Sequence, residues 1–164
     1  MAETTIKEEL GHSNRISLLR LKPPRIALVL LFIDIGLYFL LGNHVGWRFG
    51  STVGGVALIV LGLLFMMWAW WLFRRRETAI CHTGAATVLV DRGPFRVTRN
   101  PMYLGMTAML AGCACILGTL PTLFAPAVFF LLMNSVFIPF EERRLSEIFG
   151  QQYTEYRRRV RRWL

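Results

Sequence analysis

The sequence predicts an all-α integral membrane protein with four transmembrane helices. The last two form a helical hairpin core, and an amphipathic interfacial helix follows them. Three observations lead there. Apolar residues make up 54% of the 164-residue chain and gather into runs of about 16 to 22 residues almost free of charge, the length and character of membrane spans. The Lys and Arg residues alternate with those runs so that 18 of the 19 fall on one side, the asymmetry of a cytoplasmic face. After the last run, Leu145, Phe149, Tyr153, Tyr156, Val160 and Trp163 recur at helical steps, while Arg143, Arg144, Arg158, Arg161 and Arg162 lie off that stripe. Such a helix lies along a membrane surface.

A single membrane domain is expected. Residues 1–25 form a polar lead that turns amphipathic from Arg15 to Lys22, and Lys22-Pro23-Pro24-Arg25 breaks the chain. Residues 26–73 hold the first two spans, Ile26–Leu41 and Thr52–Phe73. The second ends in Trp68, Trp70 and Trp71, an aromatic belt at the bilayer boundary. Residues 74–101 form a cytoplasmic loop, briefly β-prone at Thr87–Val90, with a turn at Arg92-Gly93-Pro94. The hairpin, 102–140, consists of Met102–Leu120, a tight link, and Leu123–Phe140. Gly105, Ala108, Gly112 and Cys115 form a stripe of small residues on its first arm, where another backbone can approach. Pro139 calls for a bend in its second arm. Residues 141–164 are the interfacial helix, with a break at Gly150. Both termini are expected in the cytoplasm, and the expected location is a bacterial inner membrane.

Composition narrows the function classes. The net charge of +9 does not imply nucleic acid, because the cations flank apolar runs as a membrane protein places them. Cys81, Cys113 and Cys115, with His12, His44 and His82, have no metal-ligand spacing. They are expected as reduced thiols and imidazoles, with no metal.

One stretch carries the chemistry. Gly93 to Gly105 is basic and turn-rich and runs directly into an apolar helix. Asn100-Pro101 reads as a helix start, with Asn as the capping side chain and Pro at the first helical position. Free amides, the positive dipole end and Arg99 together suit a carboxylate or phosphate. The hairpin then returns the acidic pair Glu141-Glu142 to the same level. Pro101 to Leu120 climbs about 29 Å and Leu123 to Glu141 descends about 27 Å at 1.5 Å per residue. A cationic rim facing two carboxylates suits a zwitterionic ligand.

The ordered set Gly93-Pro94-Phe95-Arg96, Arg99-Asn100-Pro101-Met102-Tyr103-Leu104-Gly105, Glu141-Glu142 and Phe149-Gly150-Gln151-Gln152-Tyr153-Thr154-Glu155-Tyr156 resembles the C-terminal core of the isoprenylcysteine carboxyl methyltransferase and phospholipid methyltransferase superfamily. The resemblance implies an integral membrane enzyme that takes a methyl group from S-adenosylmethionine. It places Arg99, Asn100, Pro101, Tyr103, Gly105, Glu141 and Glu142 at the cofactor. It implies a lipophilic or lipid-linked acceptor bearing a carboxylate, thiol or amine, with membrane lipids as the surroundings. The family's usual Arg-His-Pro is Arg99-Asn100-Pro101 here, and Asn hydrogen-bonds but does not titrate. Asn100, Glu141 and Asp34 are the candidate catalytic residues. The other reading is a non-catalytic membrane subunit or transport accessory that retains the fold.

Asp34 is the acidic residue well inside a span, where a charge is costly and normally faces protein or a cavity. It lies about 12 Å in from the cytoplasmic end of its span, and Asn134 about 10 Å in from the same side. Asp34 is therefore expected to hydrogen-bond Asn134 or a nearby hydroxyl and to border the acceptor pocket. The plainer expectation is that it only pins the first helix to the fourth.

Overall fold

The computed structural model describes residues 22–41, 49–75 and 89–164. The lead before Lys22, the link bearing His44 and Trp47, and the segment bearing Cys81 and His82 lie outside the described residues. Among the described residues every regular element is helical: α1 (Pro23–Leu41), α2 (Thr52–Arg75), α3 (Pro101–Leu117), α4 (Phe124–Leu132) and α5 (Ile138–Arg159). Short 3-10 turns cover Gly93–Arg96 and Leu120–Leu123, and a π turn, Met133–Phe137, joins α4 to α5. Three helical stretches are long and apolar enough to cross a membrane, Pro23–Leu41, Thr52–Leu72 and the rod Leu120–Arg159, and Pro101–Leu117 is a shorter apolar helix.

The helix ends follow local chemistry. Pro23 and Pro24 open α1 rather than break the chain, because the first helical turn needs no N–H from them. The α3 helix stops three residues before the expected Leu120 because Gly118 closes it, donating its N–H to the Ala114 carbonyl at 2.8 Å. Around Pro139 the helix continues instead of breaking. The wider π turn falls just before it, where the proline leaves a backbone carbonyl without its donor. The rod kinks later, at Gly150, whose φ of 51° and ψ of −118° lie outside the helical region. At the end of α2, Arg74 and Arg75 lie over the rings of Trp70 and Trp71, at 4.9 and 3.8 Å.

The closest packing joins α2 to α3, antiparallel. A Cβ on Gly62 would lie 2.6 Å from the Gly105 carbonyl oxygen, and one on Gly105 would lie 2.6 Å from that of Gly62. Gly55 and Gly112 repeat this reciprocal relation seven residues away on each helix, again at 2.6 Å. The predicted small-residue stripe is therefore a helix–helix seam. Its partner stripe, on α2, is not marked by any motif.

The main core is made by Leu30, Tyr103, Met106, Leu110, Phe129, Met133, Phe137 and Ile138, where α1, α3 and the rod meet. The opposite faces are apolar and uncovered: Phe32, Phe39 and Leu40 are 65%, 74% and 72% exposed. Such continuous apolar surface fits lipid contact.

Asp34 faces protein, as both expectations required, but not Asn134. It is fully buried, and its Oδ1 accepts the Ala125 backbone N–H at 3.1 Å. Ala125 is in the first turn of α4, where amides have no intrahelical partner, so Asp34 caps that helix from its neighbour. Glu141 is sixteen residues farther along the rod, about 24 Å at 1.5 Å per residue. Asn134 is engaged elsewhere. Asp34→Asn, which still accepts from Ala125, should leave thermal stability in detergent nearly unchanged. Asp34→Leu should lower stability by about 1–3 kcal/mol, the cost of orphaning a buried amide.

Candidate functional site

The site forms where the start of α3 meets α5. Its basic arm arrives through the 3-10 turn Gly93–Arg96, which buries Pro94 and Phe95. Tyr156 on the kinked part of α5 donates its hydroxyl to the Phe95 carbonyl at 2.8 Å, fixing that turn. Thr98, fully buried, follows, with its hydroxyl oxygen accepting the Asn100 N–H at 3.2 Å.

The predicted level match is observed as two contacts. The Tyr103 hydroxyl donates to Glu141 Oε1 at 2.6 Å. Arg99 Nη1 stands 3.0 Å from Glu142 Oε1, an ion pair with nine-tenths of both side chains buried. Neither Nη1 nor Nε of Arg99 makes a hydrogen bond within the protein, so the contact is an ion pair only. Glu142 is also gripped by Arg162, through Nε to Oε1 at 3.2 Å and Nη2 to Oε2 at 2.7 Å. A carboxylate held in this two-pronged way has a fixed orientation.

The two acidic neighbours are therefore unlike. Glu142 has both oxygens committed to guanidinium groups. Glu141 lies one residue past the fourth apolar run. Burial pushes its carboxyl up to about 7, with the Tyr103 hydrogen bond opposing the rise and the Glu142 charge adding to it. An open cleft of about 450 Å³ adjoins Glu142, lined by Pro139, Arg143, Ser146, Glu147 and Arg157. The kink at Gly150 brings Arg157 back toward the first part of α5 and so makes this cleft.

Two expectations need correction, those for Asn100 and Asp34, and Gly105 shows the packing role of its stripe. Asn100 occupies the N-cap position, but its side chain makes no cap bond. Its Nδ2 donates instead to the Arg162 carbonyl at 2.9 Å, an acceptor supplied by a segment 62 residues away. Gly105 faces α2 and has the Gly62 backbone against it, so it is a packing residue with no room for a ligand on that side. Asp34 is at the far end of the rod from Glu141. Pro101 is buried at the first position of α3, as expected.

Sequence reasoning missed Thr98, Asn134 as a partner of this region, Arg162 and Trp163. Asn134 Oδ1 accepts from Arg162 Nη1 at 3.3 Å and from Trp163 Nε1 at 3.0 Å. The π turn carries Asn134. Its polarity within an apolar run was the available signal, but the signal did not name the partner. Among the described residues there is no cluster of three or more His, Cys, Asp and Glu suited to a metal ion.

Buried basic and acidic groups at one end of an antiparallel apolar hairpin make this a membrane protein with a candidate site at the mouth of its helices. A family model described as phospholipid methyltransferase matches residues 51–152. The chain belongs to that family, within the isoprenylcysteine and phospholipid methyltransferase superfamily. It is 29% identical over 118 residues to protein-S-isoprenylcysteine O-methyltransferase B of Arabidopsis thaliana, covering 65% of this chain and 55% of that protein. The chain thus spans about half the length of that relative. It is 35% identical over 63 residues to an uncharacterized protein of Haemophilus influenzae, covering 38% of this chain and all of that one. No solved structure matches.

Proposed function

We propose that this protein is an integral membrane, S-adenosylmethionine-dependent methyltransferase acting on a lipophilic or lipid-linked acceptor. The observation that carries the reading is the pairing of Tyr103 with Glu141 and of Arg99 with Glu142. It sets a mixed-charge site at the end of apolar helices in a chain of the methyltransferase family.

The residues present fit the cofactor. Arg99, with its Nε lacking an acceptor, suits the carboxylate. Glu141, steadied by Tyr103, suits the ammonium or a ribose hydroxyl, as a charge-assisted acceptor. Glu142 serves as the counter-ion that orients Arg99, and the cleft beside it offers room for the nucleoside. The cofactor supplies an electrophilic methyl group on a sulfonium. Its transfer to an acceptor lone pair would leave S-adenosylhomocysteine, and the chain's own part would be to hold and align the two. With an anionic acceptor the opposite charges vanish along the path, which a water-poor site favours, and alignment supplies much of the rest. Neither Asn100 nor the distant Asp34 is needed as a base for such an acceptor.

In the membrane we place four spans, with the Arg99–Glu142 end and both termini on the cytoplasmic side and the part of α5 beyond the Gly150 kink along the interface. Reporter fusions at Thr119 and Ala85 should lie on opposite sides, and a cytoplasmic signal from Thr119 would break the hairpin. The function itself is tested by incubating purified protein with methyl-labelled S-adenosylmethionine and a lipid extract. Label should enter an extractable lipophilic product. No transfer, and no calorimetric signal with S-adenosylhomocysteine, would leave a non-catalytic membrane subunit.

The proton on Glu141 gives a sign to the pH dependence. The carboxyl is raised to about 7, so it is protonated below that pH and cannot pair with an ammonium. Affinity for S-adenosylhomocysteine should therefore rise as pH increases through about 7. Glu141→Gln should bind weakly and flatten this dependence, as calorimetry between pH 5.5 and 8.5 would show (a range chosen about one and a half units to either side).

A further inference from the structure

Residues 160–164 lie beyond the family match, which ends at residue 152, yet they are bound to the motif at nearly every polar group they pass. The Arg99 N–H donates to the Arg161 carbonyl at 3.0 Å. The Arg162 carbonyl accepts from Thr98 Oγ1 at 3.0 Å and Asn100 Nδ2 at 2.9 Å. The Arg162 guanidinium then reaches Glu142 through two bonds and Asn134 through a third. The Trp163 ring rests on Phe130 with centroids 4.6 Å apart and shares the Asn134 oxygen.

We propose that Arg162 is a positioning residue for the methyltransferase site, acting through Glu142; this rests on the functional reading above. Glu142 is an acidic side chain between two cations, Arg99 and Arg162, and beside a second acidic side chain, Glu141. Left with Arg99 alone, its carboxylate is free to rotate about the last side-chain bonds and to compete with Glu141 for a cationic ligand. Arg162 removes that freedom. Its planar fork takes Oε2 and shares Oε1, while Nη1 is anchored on Asn134, so Oε1 faces Arg99. Glu142 then orients Arg99, and Glu141 keeps the hydrogen bond from Tyr103. A lysine at 162 keeps the charge but cannot hold both oxygens and Asn134 in one plane.

The test measures S-adenosylhomocysteine affinity by calorimetry, together with the thermal midpoint, on the full-length protein in detergent. Arg162→Gln should weaken binding by about tenfold or more, the scale of a lost charged hydrogen-bond pair, and Arg162→Lys should fall between it and the wild type. Phe130→Leu loses the ring contact with Trp163 and loosens the same segment without touching Glu142, Asn134 or Arg162. It should lower the thermal midpoint and leave affinity unchanged. Wild-type affinity in Arg162→Gln would overturn the inference, leaving Arg162 as a strap for the segment. If that variant does not fold, Arg162→Lys decides by the same measurement: a loss of affinity supports the role and an unchanged affinity ends it. Absence of binding by the wild type would overturn the methyltransferase reading and this inference together.

Discussion

Glu142→Ala should be among the most damaging single substitutions in the protein, both to folding and to ligand binding. Its carboxylate is nine-tenths buried and faces Arg99, itself nine-tenths buried, and Arg162, whose side chain is 34% exposed. Removing it leaves two guanidinium groups facing each other with no counter-ion between them, one of them out of reach of bulk water. Breaking a buried ion pair from one side costs about 3–5 kcal/mol, and the partial exposure of Arg162 places this case near the lower end. Glu142→Gln keeps the shape and an acceptor oxygen but loses the charge, so it should fall between the wild type and alanine. Thermal unfolding in detergent measures the effect. A midpoint unchanged by Glu142→Ala would mean that the two arginines find other anions and that Glu142 does not organise the site. The companion change Glu142→Ala with Arg162→Met should recover part of the lost stability, because it also removes the more easily dispensed charge.

Gly105→Leu should prevent α2 and α3 from closing and should either abolish folding or lower stability by about 3 kcal/mol, the upper range for overpacking. Even Gly105→Ala places a methyl carbon 2.6 Å from the Gly62 carbonyl oxygen. That atom belongs to a helix backbone and cannot swing aside as a side-chain end would. Alanine ordinarily favours a helix over glycine by about 1 kcal/mol, so the sign of the change is informative. At Gly36, in the interior of α1, an added Cβ meets nothing within 4 Å. Gly36→Ala should therefore be neutral or stabilising, whereas Gly105→Ala and Gly62→Ala should destabilise. The same thermal measurement, run on the three alanine variants, checks this. Equal stabilisation in all three would show that the seam is not closed in the membrane protein.

The two effects act at opposite ends of one arrangement. Tyr103 and Gly105 are neighbours on α3, so the seam with α2 sets the height and rotation at which Tyr103 presents its hydroxyl to Glu141. Gly105→Ala should weaken S-adenosylhomocysteine binding only through that shift, and Gly112→Ala, farther from the site, should do so less.

The sequence by itself determined the class of the protein. Long apolar runs can hide their backbone polarity in lipid only as helices, and cations crowd one set of their ends. The ordered motif from Gly93 to Tyr156 carries the family. The return of Glu141 and Glu142 to the level of Arg99 and Tyr103 was also legible, because helix rise is constant and the link between α3 and α4 is short. Polar partnership was a different matter. Asn100 reads as a cap because local sequence offers it the amides of its own helix. In the fold its amide group meets a better-placed carbonyl at Arg162. Asp34 and Asn134 share an estimated depth, yet Asp34 caps Ala125 while Asn134 serves Arg162 and Trp163. Depth along a helix says nothing about which side of it a group faces or which neighbour stands there. Gly105 was legible as part of a small-residue stripe that admits another backbone, and the structure names that backbone as the one at Gly62. Tertiary structure decided each of these, because a hydrogen bond or a close contact is settled by the free donor, acceptor or backbone nearest in space. At this site those atoms come from segments up to about sixty residues apart in the chain.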